Sequence, residues 1–329
     1  MTERTILVTG GAGYLGSILS RQLLDDGHEV LVYDAELFGT YSIDSLRDRD
    51  RFEYVQGDIR DTDELEAVVQ RATDVVHMAG IVGEPACSAD VDATIEVNLN
   101  ATVELKRLCD RHNIDRFIFM STCSVYGNSE DDLLTEVSPI NPISAYSQTK
   151  RLSEDSLLSS EVSFAPTIVR LATVYGLSPR PRFDLSVNFL TKKAVLDHEG
   201  TIYGGDQWRP FIHTTDVARG VRAVLHADQE VVEGQIFNVG STDENYQMKE
   251  IGRILDDVIA DAKIEVDQSM VDERSYRVSF QKISDVLGFK PEMTIRDGIE
   301  EIRDALTSGN ITDPDDNQYY NYVPKEDDD

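Results

Sequence analysis

The sequence predicts an α/β protein with a doubly wound parallel sheet and a smaller, partly interleaved second domain. Short β-branched runs alternate with segments whose apolar residues repeat at helical spacing. The first run leads into a glycine-rich turn that opens a helical segment. Strands that alternate with crossover helices are typical of a parallel sheet covered by helices on both faces.

The predicted elements follow this rhythm through the first half of the chain. Apolar positions repeat at helical spacing from residue 15 to 23, between the first two strands, and roughly so from 95 to 108, between the fourth and fifth. After about residue 176 the rhythm loosens. We expect residues 1–176 to form the sheet domain, with 211–240 returning to it, and 177–329 the smaller domain and an acidic tail. The predicted strands are 6–8, 30–33, 52–55, 74–77, 116–120, 167–171 and 236–240, and Ile295, Ile299, Ile302 and Leu306 mark a final helix.

The net charge of the chain is strongly negative, because 61 Asp and Glu stand against 31 Lys and Arg, a formal charge of -30. Proteins that bind nucleic acids or anionic membranes present basic patches, and such an acidic chain is unlike them. We therefore expect neither a nucleic acid nor a membrane as partner. Nine of the basic residues are Lys, and an acidic, Lys-poor balance is typical of a surface solvated in high salt. We hypothesise a halophilic protein, with an ordinary acidic surface as the alternative.

The C-terminal stretch, residues 313–329, carries seven acids and one Lys. This composition favours a solvated, disordered tail. Tyr319, Tyr320 and Tyr322 nevertheless give it rings with which to dock.

The cysteines indicate a reducing compartment. Cys87, Cys109 and Cys123 are too few and too scattered for a disulfide framework, and none falls in a CxxC spacing. No clustered set of His, Cys and acids has ligand spacing, so we expect no metal site, and we interpret His77 and His213 as structural histidines. No apolar window approaches the length of a membrane span or a signal sequence, so we expect a cytoplasmic protein.

The most specific local signal is TGGAGYLG, at positions 9–16, between the first predicted strand and the first helix. Gly10 permits a tight turn, Gly13 lets the backbone approach a pyrophosphate, and Gly16 permits close packing of helix on strand. Asp34, at the end of the second strand, can accept from both hydroxyls of a ribose and would repel a 2′-phosphate. The sequence therefore predicts a Rossmann dinucleotide site that prefers NAD to NADP.

A catalytic candidate lies in NPISAYSQTK, where Tyr146 and Lys150 stand four residues apart on a predicted helix. A tyrosine is a poor base at neutral pH, but a neighbouring ammonium and an oxidised nicotinamide both favour its phenolate. Ser121 and Thr122, after the preceding strand, strengthen this interpretation.

These residues resemble the extended short-chain dehydrogenase/reductase superfamily, in particular its NAD-dependent nucleotide-sugar epimerase/dehydratase branch, which includes enzymes similar to UDP-glucose 4-epimerase. The match covers nearly the whole chain. The motifs that carry it are TGGAGYLG, GDIR at 57–60, HMAG at 77–80, STCSVYG at 121–127, NPISAYSQTK at 141–150, RLATVYG at 170–176 and GGDQWRPFIHTTDVA at 204–218.

The resemblance implies roles for individual residues. Thr122, Tyr146 and Lys150 would be the catalytic trio, with Tyr146 and Lys150 also contacting NAD. The remaining implied contacts are Gly10, Gly13, Tyr14, Leu15, Gly16, Asp34, Asp58, Ile59, Ala79, Gly80 and Asn98 for the cofactor, and Thr122, Asn188, Arg209 and Arg274 for the substrate.

One departure from the family pattern bears on the reaction. Where 4,6-dehydratases place acids after the active Ser or Thr, this chain has Cys123 and Ser124, so the sequence disfavours dehydration. We interpret Cys123 as a small buried packing residue. Arg180 and Arg182 are also available to bind a diphosphate, but pairing with surface acids explains them equally well.

We expect an epimerase that inverts C4 of a nucleotide-diphosphate sugar through a 4-keto intermediate. A nucleotide-sugar reductase or dehydrogenase would use the same trio, and a non-catalytic NAD-sensing regulator would need the cofactor loop alone. Specificity would lie in loops such as residues 81–90. The helices near 94–112 and 146–160 carry apolar positions through which related enzymes pair, so we expect a homodimer.

Overall fold

The computed structural model describes residues 3–129, 133–159, 162–269 and 274–323. Seven of the strands within these residues form one parallel sheet in the order β10-β6-β5-β4-β1-β2-β3, which confirms the predicted doubly wound fold. The strands are β1 (Thr5–Thr9), β2 (Glu29–Asp34), β3 (Phe52–Gln56), β4 (Asp74–His77), β5 (Arg116–Thr122), β6 (Ala165–Leu171), β7 (Thr173–Tyr175), β8 (Glu199–Tyr203), β9 (Trp208–His213), β10 (Ile236–Val239), β11 (Asn245–Gln247) and β12 (Lys263–Asp267).

Helices cover both faces of this sheet. Successive strand residues point to opposite sides, so each apolar strand contributes side chains to two cores. Ile6 and Val8 of β1 pack into one core, and Leu7 between them packs into the other. The α-helices are α1 (Gly16–Asp25), α2 (Thr62–Val69), α3 (Glu84–Ala89), α4 (Val91–Ile95), α5 (Ala101–Arg111), α6 (Ala145–Leu158), α7 (Ser186–Leu196), α8 (Thr214–His226), α9 (Gln229–Val232), α10 (Met248–Val258), α11 (Gln281–Leu287) and α12 (Ile295–Thr307).

The second half of the chain contributes to both parts of the molecule. β10 pairs with β6 in the central sheet, whereas β9 pairs with β7 and β11 in a separate three-stranded sheet. Helix α8 packs against α1, and Arg222 of α8 donates to both carboxylate oxygens of Asp26, at 2.5 and 2.6 Å. A domain boundary at residue 176 stays a prediction.

The segment between β4 and α5 differs from the expected loop. Residues 84–89 form α3, and a π-helical turn, Glu96–Asn100, separates α4 from α5. π-helical turns within helices are frequent at functional sites.

The C-terminal segment corrects the predicted disorder as far as residue 323. Tyr319 packs its ring edge-on against Phe183 at 5.8 Å, and Tyr320 accepts a hydrogen bond from Lys192 at 2.6 Å. The aromatic side chains thus dock the segment despite its acids, and residues 324–329 lie outside the described part. Across the described ranges, we find no helix of the length and apolarity that crossing a membrane requires.

Candidate active site

The glycine loop joins β1 to α1 and is shaped by close backbone approaches. Gly10 has φ +72°, and a Cβ there would lie 2.8 Å from the backbone nitrogen of Ala79. A Cβ on Gly16 would lie 2.3 Å from the carbonyl oxygen of Gly10, so neither position admits a side chain. A Cβ on Gly13 would meet that same oxygen alone, at 3.2 Å. The backbone at Gly13 is therefore open to a pyrophosphate at the positive end of α1.

Tyr14 ties this loop to the second half of the chain. Its hydroxyl donates to the carbonyl of Gly176 at 2.7 Å, and the Asn188 amide lies 3.3 Å from that hydroxyl. Asn188 is fully buried, accepts from the Gly176 N–H at 2.9 Å and donates to the Arg182 carbonyl at 2.9 Å. Asn188 therefore fixes the segment that follows β7, and its contact with a diphosphate stays a prediction. Leu15, next in the loop, precedes α1 and packs partly buried against the core.

Asp34 lies at the carboxyl end of β2, beside the glycine loop. Its two carboxylate oxygens each accept one backbone N–H, from Ala12 at 3.0 Å and from Glu36 at 2.9 Å. Burial raises the pKa of Asp34, and these two bonds act in the opposite direction. Each oxygen keeps acceptor capacity, so the carboxylate fits the paired hydroxyls of a ribose.

The next predicted cofactor positions, Asp58 and Ile59, follow β3. The Asp58 carboxylate accepts from the Arg60 guanidinium at 2.6 and 2.9 Å, which holds the pKa of Asp58 below its ordinary value. Ile59 is buried and packs into the core between the sheet and its helices. In this arrangement Arg60 neutralises Asp58, and a contact of either residue with adenine stays a prediction.

His77, at the end of β4, lies between the hydroxyls of Thr9 and Thr102. Thr102 donates to the Asn98 carbonyl at 2.8 Å, so its oxygen accepts from His77 Nε2 at 2.9 Å. Nδ1 must then accept from the Thr9 hydroxyl at 2.8 Å, while the Thr9 oxygen accepts the Ala79 N–H. Burial lowers the pKa of His77 to about 3. The predicted structural histidine therefore positions the strand end that carries Ala79.

Asn98 likewise positions a backbone segment, the one that follows Gly80. Its side-chain oxygen accepts from the Ile81 N–H at 2.8 Å, and its amide donates to the Ile81 carbonyl at 2.9 Å. A Cβ on Gly80 would lie 2.9 Å from that oxygen and 3.7 Å from Lys150 Nζ. Asn98 thus keeps the backbone of Gly80 close to the Lys150 ammonium.

The three predicted catalytic residues converge where β5 ends and α6 begins. Lys150 is buried, and its ammonium donates to the Met120 carbonyl at 2.9 Å and lies 4.7 Å from the ring centre of Phe119. Burial lowers the pKa of Lys150 to about 8. Burial also raises the pKa of Tyr146, while a hydrogen bond with Thr122 opposes that shift. A Ser144 capping box starts α6 and sets the direction of both side chains.

Sequence reasoning did not place Glu84, Cys87 and Arg182 beside Tyr146. Glu84 and Cys87 raise the pKa of Tyr146, and Arg182 lowers it. The Cys87 thiol is fully buried, and burial raises its pKa to about 11. Arg182 donates twice to Asp184, at 2.7 and 3.0 Å. Their side chains come together by tertiary packing, so no local spacing in the sequence signals them.

The two arginines expected at the substrate diphosphate lie side by side. Arg209 lies with its guanidinium carbon 5.5 Å from the ring centre of Tyr276 and donates to the carbonyl of Arg274. Arg274 forms an ion pair with Glu84 at 3.1 Å, and Glu84 accepts from Ser144 at 2.8 Å. Arg274 therefore reaches the edge of the Tyr146 site, and its contact with a diphosphate stays a prediction.

A separate group, Asp26, His28 and His226, has ligand atoms within 4.8 Å of one another, close enough to hold a metal ion. The two imidazoles face each other with Nε2 atoms 3.1 Å apart, and the Arg222 guanidinium occupies both oxygens of Asp26. A guanidinium at this position competes with a cation for the carboxylate. The expectation of no metal site stays a prediction.

Residues 6–240 match the NAD dependent epimerase/dehydratase family. A Bacillus subtilis protein described as an uncharacterized UDP-glucose epimerase is 29% identical over 306 residues, which cover 89% of this chain and 95% of that protein. A dTDP-glucose 4,6-dehydratase of Streptomyces griseus is also 29% identical, over 307 residues that cover 89% of this chain and 91% of that protein.

The structure of UDP-glucuronic acid 4-epimerase from Bacillus cereus, solved with UDP-glucuronic acid and NAD, superimposes with a TM-score of 0.83. Its sequence is 29% identical, and the match covers 92% of this chain and 99% of that one. The open backbone at Gly13 and the unused acceptor capacity of Asp34 fit the same dinucleotide. This chain is therefore an enzyme of the NAD-dependent epimerase/dehydratase family, within the extended short-chain dehydrogenase/reductase superfamily, and NAD is its cofactor.

Proposed function

We propose that this enzyme inverts the configuration at C4 of a nucleotide-diphosphate sugar through a 4-keto intermediate. The observation that carries the proposal is the convergence of Thr122, Tyr146 and Lys150 at a strand end that Cys123 and Ser124 follow, where a dehydratase would place acids. When bound, NAD would supply the reversible hydride chemistry that such an inversion requires.

Tyr146 moves the proton of the sugar hydroxyl in this mechanism. Tyr146 is partly buried in the first turn of α6, so its phenol can meet a sugar hydroxyl. The Thr122 hydroxyl, which lies beside the phenol, would hydrogen-bond the same sugar oxygen. Lys150 uses one of its three N–H donors on the Met120 carbonyl and keeps two for a ribose. Its positive charge favours the phenolate form of Tyr146.

The surroundings of Thr122 support epimerisation over loss of water. Cys123 is buried and its thiol donates to the Arg170 carbonyl at 3.4 Å, while the Ser124 hydroxyl lies 3.4 Å from that of Tyr276. Glu84, an acid near Tyr146, is engaged by Ser144 and Arg274. Overall sequence identity does not distinguish epimerisation from dehydration, since an epimerase and a dehydratase are each 29% identical to this chain. The residues around Thr122 therefore carry the distinction.

The diphosphate of the substrate would bind Arg209 and Arg274. Guanidinium groups suit diphosphate oxygens because two parallel N–H donors match two oxygens. Arg209 lies largely buried at this edge of the site and contacts the backbone of Arg274, so one ligand can reach both. Within an acidic chain, this pair supplies the local positive charge that a diphosphate requires.

Product analysis tests the reaction. The enzyme is incubated with NAD and UDP-glucose, UDP-glucuronic acid or dTDP-glucose, and the products are identified by NMR while NADH is followed by absorbance. A C4 epimer without net NADH supports the proposal. Stoichiometric NADH would instead identify a dehydrogenase, and loss of water a dehydratase.

Replacing Tyr146 by Phe tests the mechanism. We expect Y146F to bind NAD and to lower kcat by about 10²- to 10⁴-fold, because the proton-transfer group alone is removed. Y203F is the matched control, since Tyr203 is a half-exposed residue of β8. A near-normal rate for Y146F would contradict the assigned role.

A further inference from the structure

Residues 313–323, here named the C-terminal strap, connect the second half of the chain to the sheet half. Within the second half, the Phe183 N–H donates to the Tyr319 carbonyl at 3.0 Å, and Lys192 pairs with Asp315. Toward the sheet half, the Asn321 amide donates to the carbonyl of Val82 at 3.2 Å. Val82 lies two residues beyond Gly80, so the strap reaches the segment that borders the cofactor site.

Arg180 connects the strap to a second segment of the sheet half, the one that follows Asp34. Its Nε donates to the Gln318 carbonyl and its Nη1 to the Asn321 side chain, each at 3.0 Å. The guanidinium carbon lies 3.8 Å from the ring centre of Phe38, which follows β2. Arg180 is 2% exposed. The strap therefore fixes a buried cation above the segment that follows Asp34.

Within the described part of the chain, the third nitrogen of this guanidinium has no acceptor. Arg180 Nη2 and the Tyr41 hydroxyl are buried and have no hydrogen-bond partner among the described residues. Asp34 and Tyr41 are among the polar groups that act electrostatically on Arg180. The carboxylate of Asp184, also close, is bound by Arg182. A buried charged donor without an acceptor is costly, so these atoms indicate a ligand that brings oxygen acceptors.

We propose that Arg180, held in place by the C-terminal strap, donates to an oxygen of the adenosine half of NAD, and that the strap thereby slows the release of the cofactor. The adenosine half is the part that Asp34 binds in this fold. The inference rests on NAD as the cofactor and is independent of which sugar is epimerised.

The test measures cofactor release and not turnover. Enzyme loaded with NADH is mixed with excess NAD, and the loss of bound NADH fluorescence gives the release rate. The variants are R180M, a chain ending at Thr312, and the two combined. A chain ending at Val323 is the control, because it keeps the whole strap.

We expect R180M and the chain ending at Thr312 each to release NADH roughly 10- to 100-fold faster, the effect of one charge-assisted hydrogen bond. The combined variant should be no faster than either, because both remove the same contact. NAD should also raise the melting temperature of R180M less than that of the parent.

Two results would overturn the inference. A release rate for R180M within twofold of the parent would show that Arg180 does not contact the cofactor. Multiplicative effects in the combined variant would show that the strap does not act through Arg180. If the chain ending at Thr312 fails to fold, the release rate and melting shift of R180M decide alone.

Discussion

The buried ion pair between Glu154 and Arg170 fixes the helix that carries Tyr146 and Lys150. Glu154 lies one turn after Lys150 on α6, and its oxygens accept from Arg170 Nε at 2.9 Å and Nη2 at 2.7 Å. The Ser121 hydroxyl of β5 donates to the same carboxylate at 2.5 Å. Both charged side chains have zero exposure. The pair thus joins α6 to β5 and β6 directly behind the site.

We predict that E154Q lowers the free energy of unfolding by about 3–5 kcal/mol. The amide keeps one oxygen for Arg170, but its NH₂ group faces the second guanidinium N–H, so a buried cation loses its counter-charge and one acceptor. A domain is stable by about 5–15 kcal/mol in total, so the loss is a large share. Replacing both partners, as in E154L with R170M, should recover much of it, because no charge remains unpaired.

Urea denaturation at constant KCl measures this effect, with unfolding free energies extrapolated linearly. D155N is the matched control on the same helix, because half-exposed Asp155 pairs with Arg151 at the surface. Its cost should stay below about 1 kcal/mol. A loss below about 1 kcal/mol for E154Q as well would refute the reasoning, since the pair would then behave as a surface pair.

Three further predictions follow from the same structure. G16A should lose NAD binding in a fluorescence titration, because its Cβ would lie 2.3 Å from the Gly10 carbonyl oxygen; retained affinity would contradict this. Burial lowers the pKa of His77 in the folded protein to about 3, against an ordinary value of 6.5. Between these two values only the unfolded state takes up the proton. The free energy of unfolding should therefore fall by about 1.4 kcal/mol for each pH unit below 6.5. Urea titrations should show a shallower pH slope for H77N, and an equal slope would count against the assignment. Leu152 of α6 and Val103 of α5 are apolar and exposed, at 51% and 41%. If the predicted homodimer forms through these helices, L152D should be a monomer by light scattering. A parent protein that is itself monomeric would rule out the homodimer.

The features predicted from sequence depend on local chain geometry. Glycines that a tight turn requires, a carboxylate at a strand end, and a Tyr and Lys four residues apart on a helix are fixed by short-range rules. The final strand β10 was predictable for the same reason, because three of its four residues, Ile236, Phe237 and Val239, are apolar. The fold therefore followed from the sequence with few errors.

The features that were missed depend on contacts between distant segments. Arg180 meets Gln318 and Asn321 across about 140 residues of sequence, and no local pattern separated this role from a surface ion pair. The bonds that Asn98 makes to both backbone groups of Ile81 also lacked a sequence signal, and its predicted contact with the cofactor stays a prediction. The acids of residues 313–323 predicted disorder. The segment is ordered because Tyr319 packs on Phe183 and Tyr320 bonds to Lys192, and these partners lie far away in the sequence.

The charges around Tyr146 explain why the protein alone keeps this residue in its neutral form. Burial, Cys87 and Glu84 all raise the pKa of Tyr146, and Arg182, which lowers it, is itself paired with Asp184. Lys150 has a pKa of about 8, so it is largely charged at neutral pH, but its ammonium is shared with the Met120 carbonyl and the Phe119 ring. The phenolate therefore requires further positive charge beside the phenol, and oxidised NAD carries such a charge. Under the proposed mechanism, a base that forms only in the loaded site restricts proton abstraction to the state in which a hydride acceptor is present.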